Sequence, residues 1–554
     1  MRSERYNTPE EIKHNYKNTR DPSAKAAAVF LFEGNNRYGD DGSSHIKIEG
    51  STGMGKSEYV NSFIRECLNK GESIIVTDPK GEFCYRNACF IPDGYKVYNL
   101  DFRHPRTSAT KFNPLAAILK LFRSDSLDDQ DIASGMVSEL WRAVYPIDSC
   151  QDTFWPESAA SLLIGLSYVL LEMANVEEVT LDSIAAMLEC SEQKCGGSFL
   201  IKELYELLPH NSMAKHFLSS YANSPQETRL STHAVAESSF RELSQSRGVM
   251  DMLSRDTLDI LNIDVFSPFV IFIQLPDEHS TYSKIAGILI SQITQHLIRV
   301  AQDQETRMLP IRVNCILEEL SSVGKSISNL DNLCAASRSR NIRLVLILQS
   351  DSQMEDIFGK CKAESINSCI GTSICFSTND YKTLTEWSQR CGEKEVEING
   401  QIIREPLISP AQLGAMPVGS ALIFAQNRFK FITHFPLYDE AYDNSMWKPP
   451  EYESEPLHNP SKTFDLKQSV FNLKERKIDR MYAHDEKQSH NNNPFGFPIW
   501  ENDSRPSPPK HKNEMDTGKL IRTIEKRVAE LEAEEKVGKN RKQTNPKDKE
   551  DQQN

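Results

Sequence analysis

The amino-acid sequence predicts an α/β fold: a doubly wound, mostly parallel β-sheet with an inserted all-α domain and a disordered C-terminal tail. Apolar runs of strand length alternate with helix-length amphipathic segments over residues 45–115 and again over residues 259–446. Residues 116–258 show helix-length segments, such as AASLLIGLSYVLLEMA, and no strand pattern. Residues 447–554 are rich in Pro, Asn, Ser and charged residues, which is typical of disorder.

Composition limits the possible classes of protein. The chain has 554 residues, 39% hydrophobic and 26% charged, which is enough for two or more globular domains. Its formal charge of −14 argues against a protein that coats nucleic acid with its whole surface, but is compatible with a locally basic channel. The Cys pairs in CYRNAC and CSEQKC lack the spacing and His partners of a zinc site, so we expect reduced thiols.

The N-terminal segment, residues 1–44, is too polar for a secretory signal peptide. The longest apolar stretch, Leu162–Ala174, is shorter than the roughly 18 to 20 residues that a membrane span requires. We therefore expect an N-terminal segment without a transmembrane helix and a chain that is soluble by itself.

The first strand and helix of the pattern flank a glycine-rich loop. HIKIEG predicts a strand, GSTGMGKS fits the phosphate-loop pattern GxxxxGK[ST], and SEYVNSFIRECLNKG predicts a helix. Glycines allow backbone N–H groups to face phosphates at the helix N-terminus, Lys56 reaches the β- and γ-phosphates, and Ser57 supplies an oxygen to Mg²⁺. The predicted ligands of ATP and Mg²⁺ are Gly50, Ser51, Thr52, Gly53, Met54, Gly55, Lys56 and Ser57.

The next predicted strands are ESIIVTD, which ends at Asp78, and KVYNLDF. The residues that follow Asp78 have two interpretations. DPKGE could be only a Pro-Lys-Gly turn, or Lys80 or Glu82 could also contact the nucleotide or a neighbouring subunit at the crevice of the sheet.

A second acidic segment follows the predicted strand VNCIL, after the strand PFVIFIQLP and a long amphipathic helix. Side chains alternate between the faces of a strand, so Glu318 and Glu319 are expected to have different roles. We assign Glu318 to the Mg²⁺ shell, directly or through water, and Glu319 to orienting and deprotonating the attacking water.

In AASRSRNIRLVLILQS, Arg338 and Arg340 precede a predicted strand and Gln349 ends it; SCIGTSICF predicts a further strand. Gln349 is placed to touch the γ-phosphate. The Arg cluster is either an arginine finger for a neighbouring subunit or a solvated helix end.

One segment of the predicted tail, residues 517–536, carries Leu520, Ile524, Val528 and Leu531 on one helical face. It is either a transient amphipathic helix or a docking or coiled-coil element.

Several segments together resemble the conjugative coupling proteins, the TraG/TraD-like DNA-transfer ATPases of type IV secretion systems. The matching stretches are GSTGMGKS, IIVTDPKGEF, TKFNPL, DTFWPESAASLL, LEELSSVGKSISNLDNLCAASRSRNIRLVLILQSDSQ and AESINSCIGTSICFSTND, in order over roughly residues 46–437. The resemblance implies a RecA-like P-loop NTPase with an inserted all-α domain, which works as a homo-hexameric ring.

The resemblance also implies residue roles and partners. Lys56 and Ser57 match the family's phosphate-loop pair, Glu319 its catalytic acid, Gln349 its γ-phosphate sensor and Arg338 its arginine finger. The insertion, residues 116–258, matches the domain that reads the relaxosome. The implied partners are the single-stranded transfer strand, relaxase or relaxosome proteins, and a membrane channel or anchor protein.

Two features depart from the family pattern. Many members have Asp at the position of Glu318, and members usually begin with transmembrane helices. We therefore expect a cytoplasmic protein that associates peripherally with the inner face of the cell membrane through a partner. The predicted function is an ATP-hydrolysing coupling protein that recruits relaxase-bound DNA and drives conjugative transfer. The alternatives are a double-strand DNA translocase, a protein-secretion ATPase or a non-hydrolysing substrate adaptor.

Overall fold

The computed structural model describes residues 5–491 except 22–26, 34–35, 41, 43, 146–151, 196, 245, 277–280, 328, 399–400 and 451–461. The strands are β1 Lys17–Asn18, β2 Ala28–Glu33, β3 Asn36–Asp40, β4 His45–Glu49, β5 Ser73–Asp78, β6 Lys96–Asp101, β7 Lys194–Cys195, β8 Ser198–Phe199, β9 Phe269–Gln274, β10 Val313–Leu317, β11 Ile342–Leu348, β12 Ile370–Phe376, β13 Glu393–Ile398, β14 Gln401–Pro406, β15 Ser420–Ala425 and β16 Phe431–His434.

The helices are α1 Pro9–Asn15, α2 Lys56–Asn69, α3 Glu82–Asn87, α4 Ala116–Phe122, α5 Leu127–Val144, α6 Phe154–Met173, α7 Leu181–Cys190, α8 Leu200–Leu207, α9 Met213–Asn223, α10 Gln226–Ser244, α11 Arg247–Met252, α12 Thr281–Asp303, α13 Leu320–Val323, α14 Leu330–Ser337, α15 Asp351–Phe358, α16 Lys360–Cys369, α17 Tyr381–Cys391, α18 Pro410–Gly414, α19 Tyr438–Ala441 and α20 Leu466–Asn491.

A nine-stranded sheet organises the fold, in the order β16-β15-β12-β4-β11-β10-β5-β9-β6. Neighbouring strands from β12 to β6 are parallel, and β15 and β16 extend that edge in antiparallel fashion. The predicted α/β class with a mostly parallel, doubly wound sheet is therefore confirmed. In this order β11 separates β4 from β10, and β5 lies beyond β10.

The central strands are buried on both faces, which explains their apolar runs. Side chains alternate between two cores along each strand: Ile75 and Leu344 face one core, and Ile74 and Val345 face the other. The first core continues without a break into α12 and into helices α4–α11, here called the helical region. The helical region therefore shares its core with one face of the sheet.

Helix α6 runs through the middle of the helical region and contacts α5, α9 and α10. Trp141 of α5 is fully buried beside it and donates its indole N–H to Ser167 Oγ at 2.8 Å. Among the described helices, only α6 is long and apolar enough to cross a membrane by length and composition, and 67% of its most apolar window is buried. It is longer than the apolar stretch in the sequence because the helix begins at Phe154.

The helical region differs slightly from the prediction of a segment without strands. The two-residue strands β7 and β8 pair in antiparallel fashion, with Cys195 opposite Ser198. Such a short pairing around a Gly-containing turn leaves no period-two pattern in the sequence.

The described N-terminal residues contain α1 and an antiparallel sheet in the order β1-β3-β2. This small sheet packs against the edge of the main sheet: the Tyr16 ring meets Phe30 at 5.3 Å and Phe431 at 5.8 Å between centroids. The segment before β4 is therefore attached to the sheet through buried aromatic contacts.

The prediction of disorder from residue 447 onward is wrong for part of that segment. α20 begins at Leu466 and packs on α8, with Phe464, Leu466 and Val470 buried. The Phe464 N–H donates to Ser183 Oγ at 2.9 Å. Burial of these three apolar side chains stabilises the packed helix. The average composition of the segment is polar and therefore does not indicate it. The second predicted element of the tail, the helix at residues 517–536, lies outside the described residues.

Candidate nucleotide-binding site

The phosphate loop, residues 50–57, joins the carboxyl end of β4 to the N-terminus of α2. Its three glycines have positive φ: 149° at Gly50, 82° at Gly53 and 108° at Gly55. These are backbone conformations that side chains disfavour. A Cβ on Gly50 would also lie 2.6 Å from Cβ of Phe376. The glycines therefore permit a tight turn that presents the first N–H groups of α2 to the space above the sheet.

Lys56, the first residue of α2, folds back over this loop. Its ammonium donates to the carbonyl of Gly50 and, at 3.1 Å, to the carbonyl of Ser51. Burial lowers its pKa, against the attraction of Glu318 and Glu319. The cation is thus held by neutral carbonyls, which a phosphate group can replace as a stronger partner.

A cavity of about 660 Å³ opens at this edge of the sheet. The predicted residues that line it are Thr52, Gly53, Gly55, Lys56, Ser57, Glu318, Glu319 and Gln349. Gly50 and Ser51 contribute the carbonyls that hold Lys56, and Met54 packs against the core under α2. A ligand crevice at the carboxyl ends of parallel strands is what this topology provides.

The acid pair follows β10, which ends at Leu317. Both Glu318 and Glu319 line the cavity, although strand alternation predicts opposite faces. The expectation fails because the chain has already left the strand: Glu319 has a left-handed backbone with φ 52°. The two acids therefore share one crevice.

Glu318 lies near Lys56 and lines the cavity. Burial raises the pKa of Glu318 to about 7, and the Lys56 charge opposes that rise. Its Oε2 is buried and accepts no hydrogen bond from the described residues. An unpartnered buried carboxylate oxygen that lines the same crevice as the Ser57 hydroxyl fits an oxygen-preferring cation such as Mg²⁺.

Gln349 follows β11, the strand between the phosphate-loop strand and the acid-pair strand. Its backbone N–H donates to Gln353 Oε1 of α15 at 2.9 Å, and both residues line the cavity. The sheet order thus places Gln349 between the phosphate loop and the acid pair, as a γ-phosphate sensor requires.

Arg338 lies at the opposite edge of the sheet. It follows the last residue of α14 and lies just before β11 begins, whereas Gln349 follows the other end of that seven-residue strand. At roughly 3.3 Å per residue the strand separates them by about 23 Å. Arg338 adds to the lowering of the pKa of His45, the first residue of β4, to about 4; burial is the main cause. Within one chain, Arg338 therefore lies far from the cavity.

The segment DPKGE contributes one wall of the cavity through Pro79, Lys80 and Glu82. Asp78 Oδ2 accepts the N–H of Cys84 at 2.8 Å at the start of α3. Burial raises the pKa of Asp78 to about 6, and these backbone donors oppose the shift. The turn chemistry is as predicted, and the position of the Lys80 and Glu82 side chains favours the interpretation that includes the nucleotide.

Sequence reasoning missed another part of the cavity wall. It comes from residues at the two ends of the β15–β16 hairpin: Val418 and Gly419 before β15, and His434, Phe435, Leu437 and Glu440 at the end of β16 and after it. The Gly419 N–H donates to the carbonyl of Met54 at 3.1 Å, and a Cβ on Gly55 would lie 3.2 Å from the Gly419 Cα. No motif marks this segment, because its role comes from backbone contact with the phosphate loop.

The family model for type IV secretory system conjugative DNA transfer matches residues 3–428. The chain belongs to this family. The resemblance on which the sequence prediction rests is thereby confirmed.

Coupling protein TraD of Escherichia coli (strain K12) is 21% identical over 353 residues, which are 63% of this chain and 44% of that protein. The chain thus spans less than half of the length of this relative. Unbound conjugative coupling protein TrwBΔN70 superposes with a TM-score of 0.59 at 18% identity, covering 79% of this chain and 93% of that one.

Coupling protein TrwB in complex with the ATP analogue ADPNP gives a TM-score of 0.57 at 18% identity, over 84% of this chain and 97% of that one. The complex of TrwB with ADP and Mg²⁺ gives 0.54 at 17% identity, with the same coverage. At these identities, the likeness establishes only that the RecA-like fold is shared.

Proposed function

We propose that this chain is an ATP-hydrolysing coupling protein that recruits relaxase-bound DNA to a type IV secretion channel and drives conjugative transfer. The observation that carries the proposal is the single cavity in which the phosphate loop, the acid pair and Gln349 meet. Family membership supports the DNA-transfer role. The complexes of TrwB with ADPNP and with ADP and Mg²⁺ support ATP and Mg²⁺ as the ligands.

In the proposed mechanism Lys56 exchanges the carbonyls of Gly50 and Ser51 for the β- and γ-phosphates. Ser57 and Glu318 would hold Mg²⁺, which neutralises phosphate charge when bound. Gln349 would donate its side-chain amide to the γ-phosphate. Glu319 would orient the attacking water and accept its proton.

The distance between Arg338 and the cavity restricts its role. A side chain at the amino-terminal edge of the sheet cannot reach a nucleotide at the carboxyl edge of the same chain, so Arg338 would serve a neighbouring subunit. This supports a ring, as in the proposed homo-hexamer, in which each subunit completes the next site.

We further propose a division of labour along the chain. Residues 45–115 and 259–446 would form the motor, and residues 116–258 would recognise the relaxosome. Residues 1–44 and 447–554 would be appended to these two parts. The shared core between the sheet and the helical region offers a path by which nucleotide state could bias the recognition surface. Attachment to the inner face of the membrane would come from a channel or anchor protein.

ATP hydrolysis measured over a range of protein concentrations, with no DNA, single-stranded DNA or double-stranded DNA, tests the proposal. We expect DNA-stimulated turnover that rises with protein concentration and prefers single strands, with Glu319→Gln as the inactive control. Preference for duplex would favour a double-strand translocase. Turnover indifferent to DNA would favour a protein-secretion ATPase, and tight binding without turnover would favour an adaptor.

A further inference from the structure

The strand that precedes the phosphate loop has one polar face. In β4, Ile46 and Ile48 face the core under α2, whereas His45, Lys47 and Glu49 face the other side of the sheet. All five residues are buried. Placing Lys and Glu in the centre of a sheet is unfavourable unless each charge has partners.

The partners come from β4 itself and from segments that follow β11. Lys47 Nζ lies 2.8 Å from Glu49 Oε1 and 2.5 Å from Asp351 Oδ1. The Trp387 indole N–H donates to Glu49 Oε2 at 3.2 Å. Burial raises the pKa of Glu49, and the nearby Asp351 adds to the rise while Lys47 opposes it. One buried ammonium is therefore shared by two carboxylates from different parts of the chain.

These charges connect two parts of the nucleotide site. Glu49 immediately precedes Gly50, whose carbonyl holds Lys56. Asp351 is the first residue of α15 and follows Gln349 by two positions, and Gln353 of the same helix holds the Gln349 N–H. The ion pairs therefore fix the start of α15 against the strand residue that precedes the phosphate loop.

A second polar route joins the same two segments. Ser51 Oγ of the phosphate loop accepts the N–H of Asn379 at 3.2 Å, and it donates to Thr378 Oγ1 at 3.4 Å. Next in the chain, Asp380 Oδ2 accepts the hydroxyl of Ser352 at 3.1 Å. Two separate sets of contacts thus position α15 relative to the phosphate loop.

We propose that Lys47, Glu49 and Asp351 form a positioning unit that sets where the Gln349 side chain lies relative to a nucleotide in the phosphate loop. None of its three residues is among those that line the cavity; the unit acts through α15. This inference rests on the proposed function, in which Gln349 contacts the γ-phosphate. It explains how Gln349 is held where it can distinguish a triphosphate from a diphosphate.

The test measures binding and needs no hydrolysis. Dissociation constants for ADPNP and for ADP, each with Mg²⁺, are measured on full-length wild type, Gln349→Ala, Asp351→Asn and the Gln349→Ala/Asp351→Asn double variant. Glu355→Gln is the matched control. Glu355 lies on α15, as Asp351 does, and the substitution removes its exposed ion pair with Lys382 of α17. Melting temperatures are recorded for every variant.

We expect Asp351→Asn to change the ratio of ADPNP to ADP affinity in the same direction as Gln349→Ala, by about fivefold or more, with the ADP affinity nearly unchanged. The double variant should show no larger change than Gln349→Ala alone, since both act on one contact. Glu355→Gln should match wild type. If Asp351→Asn does not fold, Lys47→Met/Glu49→Gln takes its place, because it removes both buried charges of β4 together and leaves only Asp351, which is partly exposed.

An unchanged ratio of ADPNP to ADP affinity in a folded Asp351→Asn protein would overturn the inference. A double variant in which the effects of Asp351→Asn and Gln349→Ala multiply would overturn it as well. A wild type that binds neither nucleotide would instead overturn the proposed function, and the inference with it. An inert Gln349→Ala would remove the sensor assignment and the role of the unit together.

Discussion

Gly81, in the turn after β5, offers a quantitative test of how the DPKGE wall is built. Gly81 has φ 69°, which costs an Ala about 1–2 kcal/mol. A Cβ there would also lie 2.5 Å from Cζ of Arg103, so the guanidinium must move. Arg103 would lose its hydrogen bonds to the Lys80 carbonyl, at 2.8 Å, and to Gln274 Oε1. Its side chain is 30% exposed, so water replaces part of this loss and about 1–2 kcal/mol remains.

The chain contains a matched control for the backbone contribution. Gly71 has φ 70°, and a Cβ there would meet nothing within 4 Å. Gly71→Ala should therefore cost only the backbone penalty of about 1–2 kcal/mol, whereas Gly81→Ala should cost about 2–4 kcal/mol. Urea unfolding of both variants, with a common slope, measures the difference. Because the Lys80 side chain lines the cavity, only Gly81→Ala should also raise the KM for ATP. Equal destabilisation, within about 0.5 kcal/mol, would refute the role given to Arg103.

Four further outcomes are expected. Lys56→Ala should abolish tight ADPNP binding in calorimetry, and retained binding would contradict the phosphate-loop assignment. Glu319→Gln should bind ATP like wild type but lose about 10²-fold or more of turnover; wild-type turnover would exclude Glu319 as the base. Arg338→Ala protein mixed into wild type should depress activity per wild-type subunit, and a strictly proportional loss would exclude a role in a neighbouring site. Leu466→Asp should release α20 and expose it to limited proteolysis, unlike the exposed neighbour Lys467→Asp, because a buried unpaired carboxylate is unfavourable; equal cleavage would contradict the packing.

The strand pattern of the motor could be predicted because its physical cause is local. A parallel strand covered on both faces must be apolar throughout, as in FVIFIQ and IRLVLIL. The phosphate loop is equally local, since its glycines need particular backbone angles at fixed spacing. The positions of Lys56 and Gln349 at one edge of the sheet then follow from strand direction alone.

Other features depend on contacts between distant segments and leave no local pattern. Gly419 joins the site because its backbone meets Met54, some 365 positions earlier. The sequence around α20 is mostly polar. The buried apolar residues among its described side chains, Phe464, Leu466 and Val470, pack against partners in the helical region. The Glu318 and Glu319 side chains share a crevice because β10 ends at Leu317, before both acids, whereas alternation assumes that the strand continues through Glu319.

The segment HIKIEG is a strand, as its pattern predicts, but the pattern does not reveal that both faces of the strand are buried. Strict alternation of apolar and polar residues usually marks a strand with one face in water. β4 instead lies between β12 and β11 with both faces covered. Its polar face is tolerated because Asp351 and Trp387 approach it from segments some 300 residues later. In this chain the acidic partner of that polar face comes directly after β11: Asp351 is the first acidic residue after Gln349.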